Sequence, residues 1–201
     1  MEHLIWLDLE NSGLGPNFPI LEIACFVTNL NLEIVDKWEA VLPTPPHFTF
    51  EQQALEMHKK SGLMRHSQRL TALLWRRAYS DDAEDTHQVY ADLYDQLLLQ
   101  LEDDLVKKVR PYLQGASRKP PLCGNSPHYD RQVLEYHFFG KFLSLFSHQN
   151  IDVTTTYLLT KLFSPQNLPP KNDENNHRAG DDLRRSIEYL KFFCKSFFEA
   201  R

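Results

Sequence analysis

The fold is decided by the stretch Leu4-Ile5-Trp6-Leu7-Asp8-Leu9-Glu10, an apolar run that ends in two carboxylates. Side chains alternate between the two faces of a strand, which places both acidic residues on one face and only apolar residues on the other. Since both faces are largely apolar, we expect a strand buried within a sheet, with its carboxylates repelling each other at the edge of the core. A divalent cation relieves this repulsion because Mg²⁺ and Mn²⁺ prefer oxygen ligands. An Asp-x-Glu pair is equally compatible with a strand end that has reached water, and other residues must decide.

The composition indicates one compact α/β domain over residues 1–201. With 42% hydrophobic residues, the chain can bury one good core and does not demand a second. The first residues leave no room for a signal peptide and no apolar run reaches membrane-spanning length, so we expect a cytoplasmic protein that does not enter a membrane. The three cysteines lack Cys-x-x-Cys spacing, which favours reduced core thiols over disulfides or a zinc site. A net charge of −5 argues against a protein that grips long nucleic acid, but it permits a short anionic substrate held by metal ions.

The first third of the chain predicts an antiparallel meander of three strands. Residues 4–10, 20–30 and 32–42 form apolar runs that are separated by turn-forming residues. The proline-rich segment 43–46 then ends the third run.

Two helical regions follow the meander. Between residues 50 and 77 the pattern predicts a pair of short helices with a break at Ser61-Gly62. Between residues 86 and 112 apolar residues recur every four positions, which predicts a long amphipathic helix. These residues are Val89, Leu93, Leu97, Leu101 and Leu105.

The remaining chain alternates short strands with helices. Residues 122–125 predict a strand that leads into a helix beginning at Pro127. Residues 151–154 predict a last strand, followed by a helix over 155–163 and a final helix over about 180–198.

Asp130 is the third candidate carboxylate. It lies in the first turn of a helix for which Ser126 is a good N-cap. On this helix it shares a face with three residues that we expect to meet the sheet, Leu134, His137 and Phe138. An aspartate in a first turn is also favoured by the helix dipole, by up to ~1 kcal/mol, and this alternative stays open.

Asp182 is the fourth candidate, near the start of the final helix. The predicted buried stripe of that helix is Leu183, Ile187, Leu190, Cys194 and Phe197. Asp182 lies at the margin of the stripe, whereas Asp181 lies nearly opposite, on the side of Arg185 and Glu188. His177 belongs to the polar loop just ahead of the helix, which we expect to move. A solvated pair of aspartates is the alternative interpretation.

Taken together, Asp8, Glu10, Asp130, His177 and Asp182 match the ordered motif set of the DEDDh 3′-to-5′ exonucleases. Within that superfamily the chain resembles the oligoribonuclease family over nearly its whole length. The matching stretches are Leu4 to Glu10, Ser12-Gly13-Leu14, Leu122-Cys123-Gly124-Asn125-Ser126, Asp130-Arg131, Asp152-Val153-Thr154-Thr155 and His177-Arg178-Ala179-Gly180-Asp181-Asp182. The resemblance implies a ribonuclease-H-like α/β fold, a mixed five-stranded sheet with helices on both sides.

The resemblance also implies a role for each residue. Asp8, Glu10 and Asp182 would hold one divalent cation, and Asp8 with Asp130 would hold a second, either Mg²⁺ or Mn²⁺. His177 would be the general base, because an imidazole titrates near neutral pH. The residues implied to bind the substrate are Ser12, Gly13, Leu14, His58, Asn125, Ser126 and Thr154. The implied reaction is hydrolysis of short single-stranded RNA to nucleoside 5′-monophosphates, in a homodimer, with single-stranded DNA as a second candidate substrate.

Two departures from the family pattern affect the predicted grip on the substrate. His148-Gln149 stand where the family has a Tyr-Arg pair that caps the 5′ phosphate, and Gln53 stands where it has a Trp that flanks the bases. We therefore expect intact chemistry with weaker selectivity for the shortest substrates. Two alternatives are a DEDDh exonuclease that prefers DNA 3′ ends or trims RNA, and a catalytically dead nuclease fold that serves as a binding module. The presence of all five catalytic residues argues against the dead module.

Overall fold

The sheet extends to both sides of the predicted first strand. The computed structural model describes residues 2–45, 48, 50–79, 85–115, 117–170 and 176–198. Its strands are β1 (His3–Asn11), β2 (Ile20–Asn29), β3 (Ile34–Val41), β4 (Leu122–Gly124) and β5 (Asn150–Asp152). They form one sheet in the order β3-β2-β1-β4-β5, in which the first three strands are antiparallel and β1, β4 and β5 are parallel. The predicted mixed five-stranded sheet is confirmed.

Seven α-helices accompany the sheet in the described part of the chain. They are α1 (Gln52–Lys60), α2 (Leu63–Ala78), α3 (Thr86–Val109), α4 (Pro127–Tyr136), α5 (Gly140–Leu143), α6 (Val153–Phe163) and α7 (Ala179–Phe198). Two short 3-10 helices cover Arg110–Leu113 and Pro165–Asn167. The break predicted between α1 and α2 is confirmed, because Gly62 has a left-handed φ of +76° that a helix interior does not adopt. No helix among the described residues combines the length and apolar character needed to cross a membrane.

The two faces of β1 lead into two separate hydrophobic cores. Ile5 and Leu7 are fully buried on one face and pack with residues of α3, α4 and α5. Leu4 and Trp6 belong to the other face and pack with residues of α6 and α7. The alternation read from the sequence is therefore confirmed, and so are the helices on both sides of the sheet.

The first turn of α7 lies close against β3. A Cβ atom at Gly180 would come within 2.8 Å of the Glu39 carboxylate, so this flexible side chain lies against the helix backbone at Gly180. One turn further on, the Arg184 guanidinium lies 5.2 Å from the centre of the Phe26 ring on β2. These contacts fix the start of α7 beside the sheet.

The apolar stripe predicted for α3 is wrong in its first half. Tyr90 and Tyr94 are buried there, whereas Val89 is 38% exposed. Four residues advance the helix by about 400°, so a strict four-residue spacing turns about 40° per step and cannot stay on one face of a straight helix. Leu93 packs at the edge of the cluster that holds Tyr90 and Tyr94, and the stripe reaches the main core at Leu101 and Leu105.

Three smaller predictions also need correction. Phe138 does not share the buried face of Asp130, because α4 ends at Tyr136 and Phe138 has a φ of +64° and is 84% exposed. The last strand is shorter than predicted, since the Asp152 carboxylate caps a helix that already begins at Val153. In α7 the buried aromatic residue is Phe193, while Phe197 is 39% exposed.

Candidate active site

Three carboxylates converge at the end of β1 and the start of α7. Asp8 and Glu10 lie on the same face of β1, and Asp182 lies in the first turn of α7. One carboxylate oxygen from each of the three residues lies within 4.8 Å of the other two. The prediction that Asp182 is the aspartate aimed at the sheet edge is confirmed.

Asp130 joins these residues from the first turn of α4. It is buried, and its Oδ1 accepts a hydrogen bond of 3.2 Å from the backbone N–H of Leu9 on β1. Its negative charge helps to raise the pKa of both Asp8 and Glu10. Asp130 therefore stands beside the cluster of three, on the side of β1.

Burial is the largest cause of the raised pKa values in this cluster. It raises the pKa of Glu10 to about 8 and that of Asp130 to about 8, and it raises the pKa of Asp182 above its ordinary value. The pKa of Asp8 lies well above its ordinary value because burial is joined by the charges of Asp130, Glu10 and Asp182. Carboxylates crowded in this way resist ionisation unless a cation joins them. Since every donor is an oxygen atom, the residues present fit a hard divalent cation.

Two ion pairs with the same spacing lie side by side at the start of α7. Arg185 donates to Asp182 Oδ1 at 2.6 Å, and Arg184 donates to Asp181 Oδ1 at 2.7 Å. Arg184 also reaches Glu39 on β3 at 3.3 Å. The prediction that Arg185 belongs to the side of Asp181 is wrong, because its long side chain turns back toward the residue three positions earlier.

His177 is half-buried and lies two residues before α7. Its backbone has a left-handed φ of +46°, which is uncommon for a residue with a side chain. The next residue, Arg178, donates to both carboxylate oxygens of Glu22 at 2.6 to 3.1 Å, and Ala179 N–H donates to Glu22 at 3.0 Å. Glu22 is 1% exposed and pairs with Glu10 across β1 and β2.

The backbone just after His177 is thus held by Glu22, while the motion of the preceding loop stays a prediction. Residues 171–175 of the preceding loop lie outside the described residues. The positive charge of His177 opposes the rise in the pKa of Asp182 and adds to the lowering of the pKa of His58 by burial.

His58 lies beneath the cluster and is completely buried. Its Nε2–H donates to the carbonyl oxygen of Asn11 at 2.7 Å, while its Nδ1 lies 4.0 Å from Glu10 Oε2. Burial is the main reason why the pKa of His58 is lowered, which favours the neutral ring. Its Nδ1 has no hydrogen-bond partner among the described residues, and its role in binding a substrate stays a prediction.

Three residues of the turn after β1 were predicted to bind the substrate, and one of them is exposed to solvent. Ser12 is completely buried, and Gly13 packs so tightly that a Cβ atom there would lie 2.5 Å from the Phe18 ring. Leu14 is 79% exposed, and its N–H donates to Glu51 Oε2 at 2.9 Å. Next to Leu14 lies a cavity of about 200 Å³ whose lining includes Glu10, Gln53, Met57 and Tyr129.

Asn125, Ser126 and Thr154 form one hydrogen-bonded group at the ends of β4 and β5. Thr154 Oγ1 donates to Asn125 Oδ1, and Ser126 Oγ donates to Thr154 Oγ1 at 2.9 Å. Asp152 accepts from the backbone N–H groups of Ser126 and Thr154 at 2.9 and 3.0 Å. Ser126 is the N-cap residue of α4, as predicted, but its side chain makes no capping hydrogen bond, because its left-handed backbone turns the hydroxyl toward Thr154.

His148 and Gln149, the residues that depart from the family pattern, lie exposed in the turn before β5. This turn is fixed by Arg131, which donates to the backbone oxygen of Ser147 at 2.7 Å and to Asn150 Oδ1 at 2.8 Å. The shape of the turn therefore does not depend on the two exposed side chains.

Two contributors to the site were missed by reasoning from the sequence. Glu22 carried a signal, since it is the one acidic residue within the apolar run of β2. Arg185 carried a signal as well, since it stands three residues after Asp182, a spacing at which side chains of a helix pair, but the same helix offers it Asp181 at four residues.

Comparisons with known proteins agree with the geometry. The chain is 32% identical to the oligoribonuclease of Haemophilus ducreyi, covering 98% of this chain and 96% of that protein. It is 31% identical to the oligoribonuclease of Actinobacillus pleuropneumoniae, covering 98% and 94%. No family model matches the chain.

Solved structures resemble the fold at low sequence identity. Exonuclease I of E. coli, solved in a zinc-bound form with single-stranded DNA, has a TM-score of 0.66 and 12% identity over 99% of this chain. Exonuclease I of Methylocaldum szegediense has a TM-score of 0.61 and 13% identity over 100% of this chain. In both comparisons this chain spans 42% of the solved chain. The expectation of a 3′-to-5′ exonuclease is confirmed, and the chain belongs to the oligoribonuclease family.

Proposed function

We propose that this chain is a two-metal 3′-to-5′ exoribonuclease that hydrolyses short single-stranded oligoribonucleotides to nucleoside 5′-monophosphates. The observation that carries the proposal is the convergence of the carboxylates of Asp8, Glu10 and Asp182 to within 4.8 Å, in a chain of the oligoribonuclease family. Hydrolysis of a phosphodiester needs an activated water and stabilisation of the charge that develops on the phosphate.

The carboxylates are the metal ligands in this proposal. Asp8, Glu10 and Asp182 would hold one Mg²⁺ or Mn²⁺ ion, and Asp8 with Asp130 would help to hold a second, directly or through water. When bound, two such ions lower the pKa of the attacking water and stabilise the oxygens on both sides of the phosphorus. The oxygen-only donor set and the electrostatic cost of leaving these groups ionised without a cation support the assignment.

His177 is the general base, which accepts a proton from the attacking water. Its nearness to Asp182 supports this role, and an imidazole is suited to proton transfer near neutral pH. The ion pair of Glu22 with Arg178 holds the neighbouring backbone, so the ring stays on the side of the carboxylates. General base catalysis of this kind typically contributes ~10²–10⁴ in rate.

The substrate lies between two groups of residues. Leu14 and the adjacent cavity receive a base at the 3′ end, which agrees with the exposure of Leu14 beside Glu10. Asn125, Ser126 and Thr154 offer amide and hydroxyl groups for sugar and phosphate oxygens. Ser12 and Gly13 are buried and shape the turn, while the buried His58 presents an unpartnered Nδ1 at 4.0 Å from Glu10.

The protein acts as one exonuclease domain in a cytoplasmic homodimer. The support for the dimer is an apolar face on α6, where four side chains are 48% to 78% exposed. They are Leu158, Leu159, Leu162 and Phe163. A contiguous apolar patch of this kind is typical of a protein interface. Sedimentation of the purified protein across micromolar concentrations tests the dimer, and a monomer at every concentration contradicts it.

A cleavage series tests the proposed reaction. The purified protein is given Mg²⁺ or Mn²⁺ and 5′-labelled RNA and DNA of two to ten nucleotides. We expect stepwise shortening of RNA from the 3′ end with release of nucleoside 5′-monophosphates. Faster cleavage of DNA would assign the chain another preference, and binding without cleavage at millimolar metal would make it a binding module.

A further inference from the structure

Two arginines at the start of α7 make the same local contact in different surroundings. The side chains of Asp182 and Arg185 are 20% and 21% exposed, and those of Asp181 and Arg184 are 44% and 43% exposed. The first pair lies within the acidic cluster, since Asp182 converges with Asp8 and Glu10. The second pair faces Glu39 on β3.

Arg185 carries a positive charge where several carboxylates crowd together. Its guanidinium donates to Asp182 Oδ1 at 2.6 Å, and its charge also acts on Asp8. Buried-edge carboxylates repel one another strongly, because their interaction is screened less than in water. A guanidinium cannot lose its proton in a protein, so this charge is permanent.

We propose that Arg185 is an internal counter-ion of the acidic cluster, which assembles the carboxylates before a metal ion binds and weakens the affinity for that ion. This inference rests on the metal site of the proposed function. Arg185 is a positioning residue in this role, since it acts on the ligands through Asp182.

Loss of the Arg185 guanidinium is expected to lower the stability of the apo protein and to raise its affinity for the metal ion. Without a metal ion, loss of the guanidinium removes the counter-charge that is hydrogen-bonded to Asp182, so the carboxylates repel one another more and the apo protein becomes less stable. With a metal ion, the same loss removes a repulsion between a cation and the guanidinium, so the ion binds more tightly. A residue that only supports the fold would lower both the stability and the metal affinity when it is replaced.

The experiment compares Arg185→Gln with Arg184→Gln. Arg184 is a matched control, because it pairs with Asp181 at the same three-residue spacing on the same helix. Isothermal titration calorimetry at pH 8 measures the affinity for Mn²⁺, and thermal unfolding in EDTA measures the stability of the apo protein. For Arg185→Gln we expect Mn²⁺ to bind about tenfold more tightly and the apo Tm to fall by about 2–4 °C. For Arg184→Gln we expect unchanged Mn²⁺ affinity. Arg185→Lys keeps the charge and is expected to stay close to the wild-type affinity.

The outcomes separate this inference from the proposed function. If the wild-type protein binds no Mn²⁺ at millimolar concentration, the proposed metal site fails and the inference fails with it. If the wild-type protein binds Mn²⁺ while Arg185→Gln binds it equally or more weakly, the metal site stands and the counter-ion is overturned. The inference would also be overturned if Arg185→Lys bound Mn²⁺ as tightly as Arg185→Gln does, since the positive charge would then not affect the metal affinity.

Discussion

The acidic cluster and the turn before β5 are held in place in different ways. Each carboxylate of the cluster comes from a regular element, and the start of α7 is tied to the sheet by a buried ion pair of Glu22 with Arg178. The turn before β5 is held through its backbone by Arg131, while its side chains at His148 and Gln149 remain exposed. Chemistry therefore depends on residues that the core positions, whereas the exposed turn can change without disturbing the fold. We expect large losses of activity at the cluster and modest changes of selectivity at the turn.

The largest effect is expected from Asp182→Asn, compared with Asp181→Asn. Only Asp182 converges with Asp8 and Glu10, so its loss should lower kcat by about three decades or more, because the metal site then lacks a charged ligand. Asp181 faces Arg184, and its replacement should leave most of the activity. Steady-state cleavage of a short RNA measures both. Equal losses would show that the orientation of the first turn of α7 does not decide which aspartate binds metal.

The next effect is expected from His177→Ala. We expect kcat to fall by about two to four decades while folding and Mn²⁺ binding are kept, since a general base acts in the transition state. Single-turnover cleavage at saturating Mn²⁺ measures the loss. A variant that cleaves at the wild-type rate, or one that does not fold, contradicts the assignment of His177 as the base.

A smaller loss is expected from Glu22→Gln, compared with Glu39→Gln. Glu22 holds Arg178 next to His177, so we expect kcat to fall about tenfold with little change in KM, because the base is less well positioned. Glu39 holds Arg184, which lies on the far side of the helix turn, and its replacement should change kcat less than twofold. Thermal unfolding checks that both variants are folded at the assay temperature. A rise in KM without a loss in kcat would assign Glu22 to substrate binding instead.

The smallest effect concerns the length of the substrate. Without the Tyr-Arg pair, whose arginine makes a charged and geometrically demanding contact to phosphate, we expect dinucleotides to be preferred over heptanucleotides by well under about a hundredfold. Single-turnover rates on two- and seven-nucleotide RNA measure this ratio. The double variant His148→Tyr with Gln149→Arg should raise it. A hundredfold preference in the wild-type protein would show that other residues have rebuilt the cap.

The strands and the orientation of Asp182 were predictable because they follow from local periodicity. The alternation in β1 and the apolar stripe that begins at Leu183 are each set within a few residues of the chain, so a strand or a helix of known geometry places their side chains. The prediction for the first half of α3 was wrong because the four-residue spacing of its apolar residues does not match the period of a helix. The side chain of Ser126 does not cap α4, because a left-handed backbone, rather than the helix that follows, determines where its hydroxyl points.

The environment of His177 could not be predicted from the sequence. The ion pair that anchors it joins Glu22 and Arg178, which are 156 residues apart and meet only after β2 and α7 have packed. The pair of Asp182 with Arg185 is local, but two carboxylates compete for each arginine at this helix start, and packing against β3 decides the partners. Contacts of this kind depend on tertiary structure, and periodicity carries no information about them.

The absence of a side chain at Gly180 has a consequence for how α7 can be altered. Because the Glu39 carboxylate occupies the space of a Cβ atom at this position, it lies where the positive end of the helix macrodipole favours an anion. A Gly180→Ala change, which in most helices is stabilising, would here displace this carboxylate, the end of a flexible side chain, from the helix start and from Arg184. The helix itself and Asp182 keep their positions. We therefore expect the ordinary propensity scale to overestimate the gain in stability at this position, with the Mn²⁺ affinity unchanged.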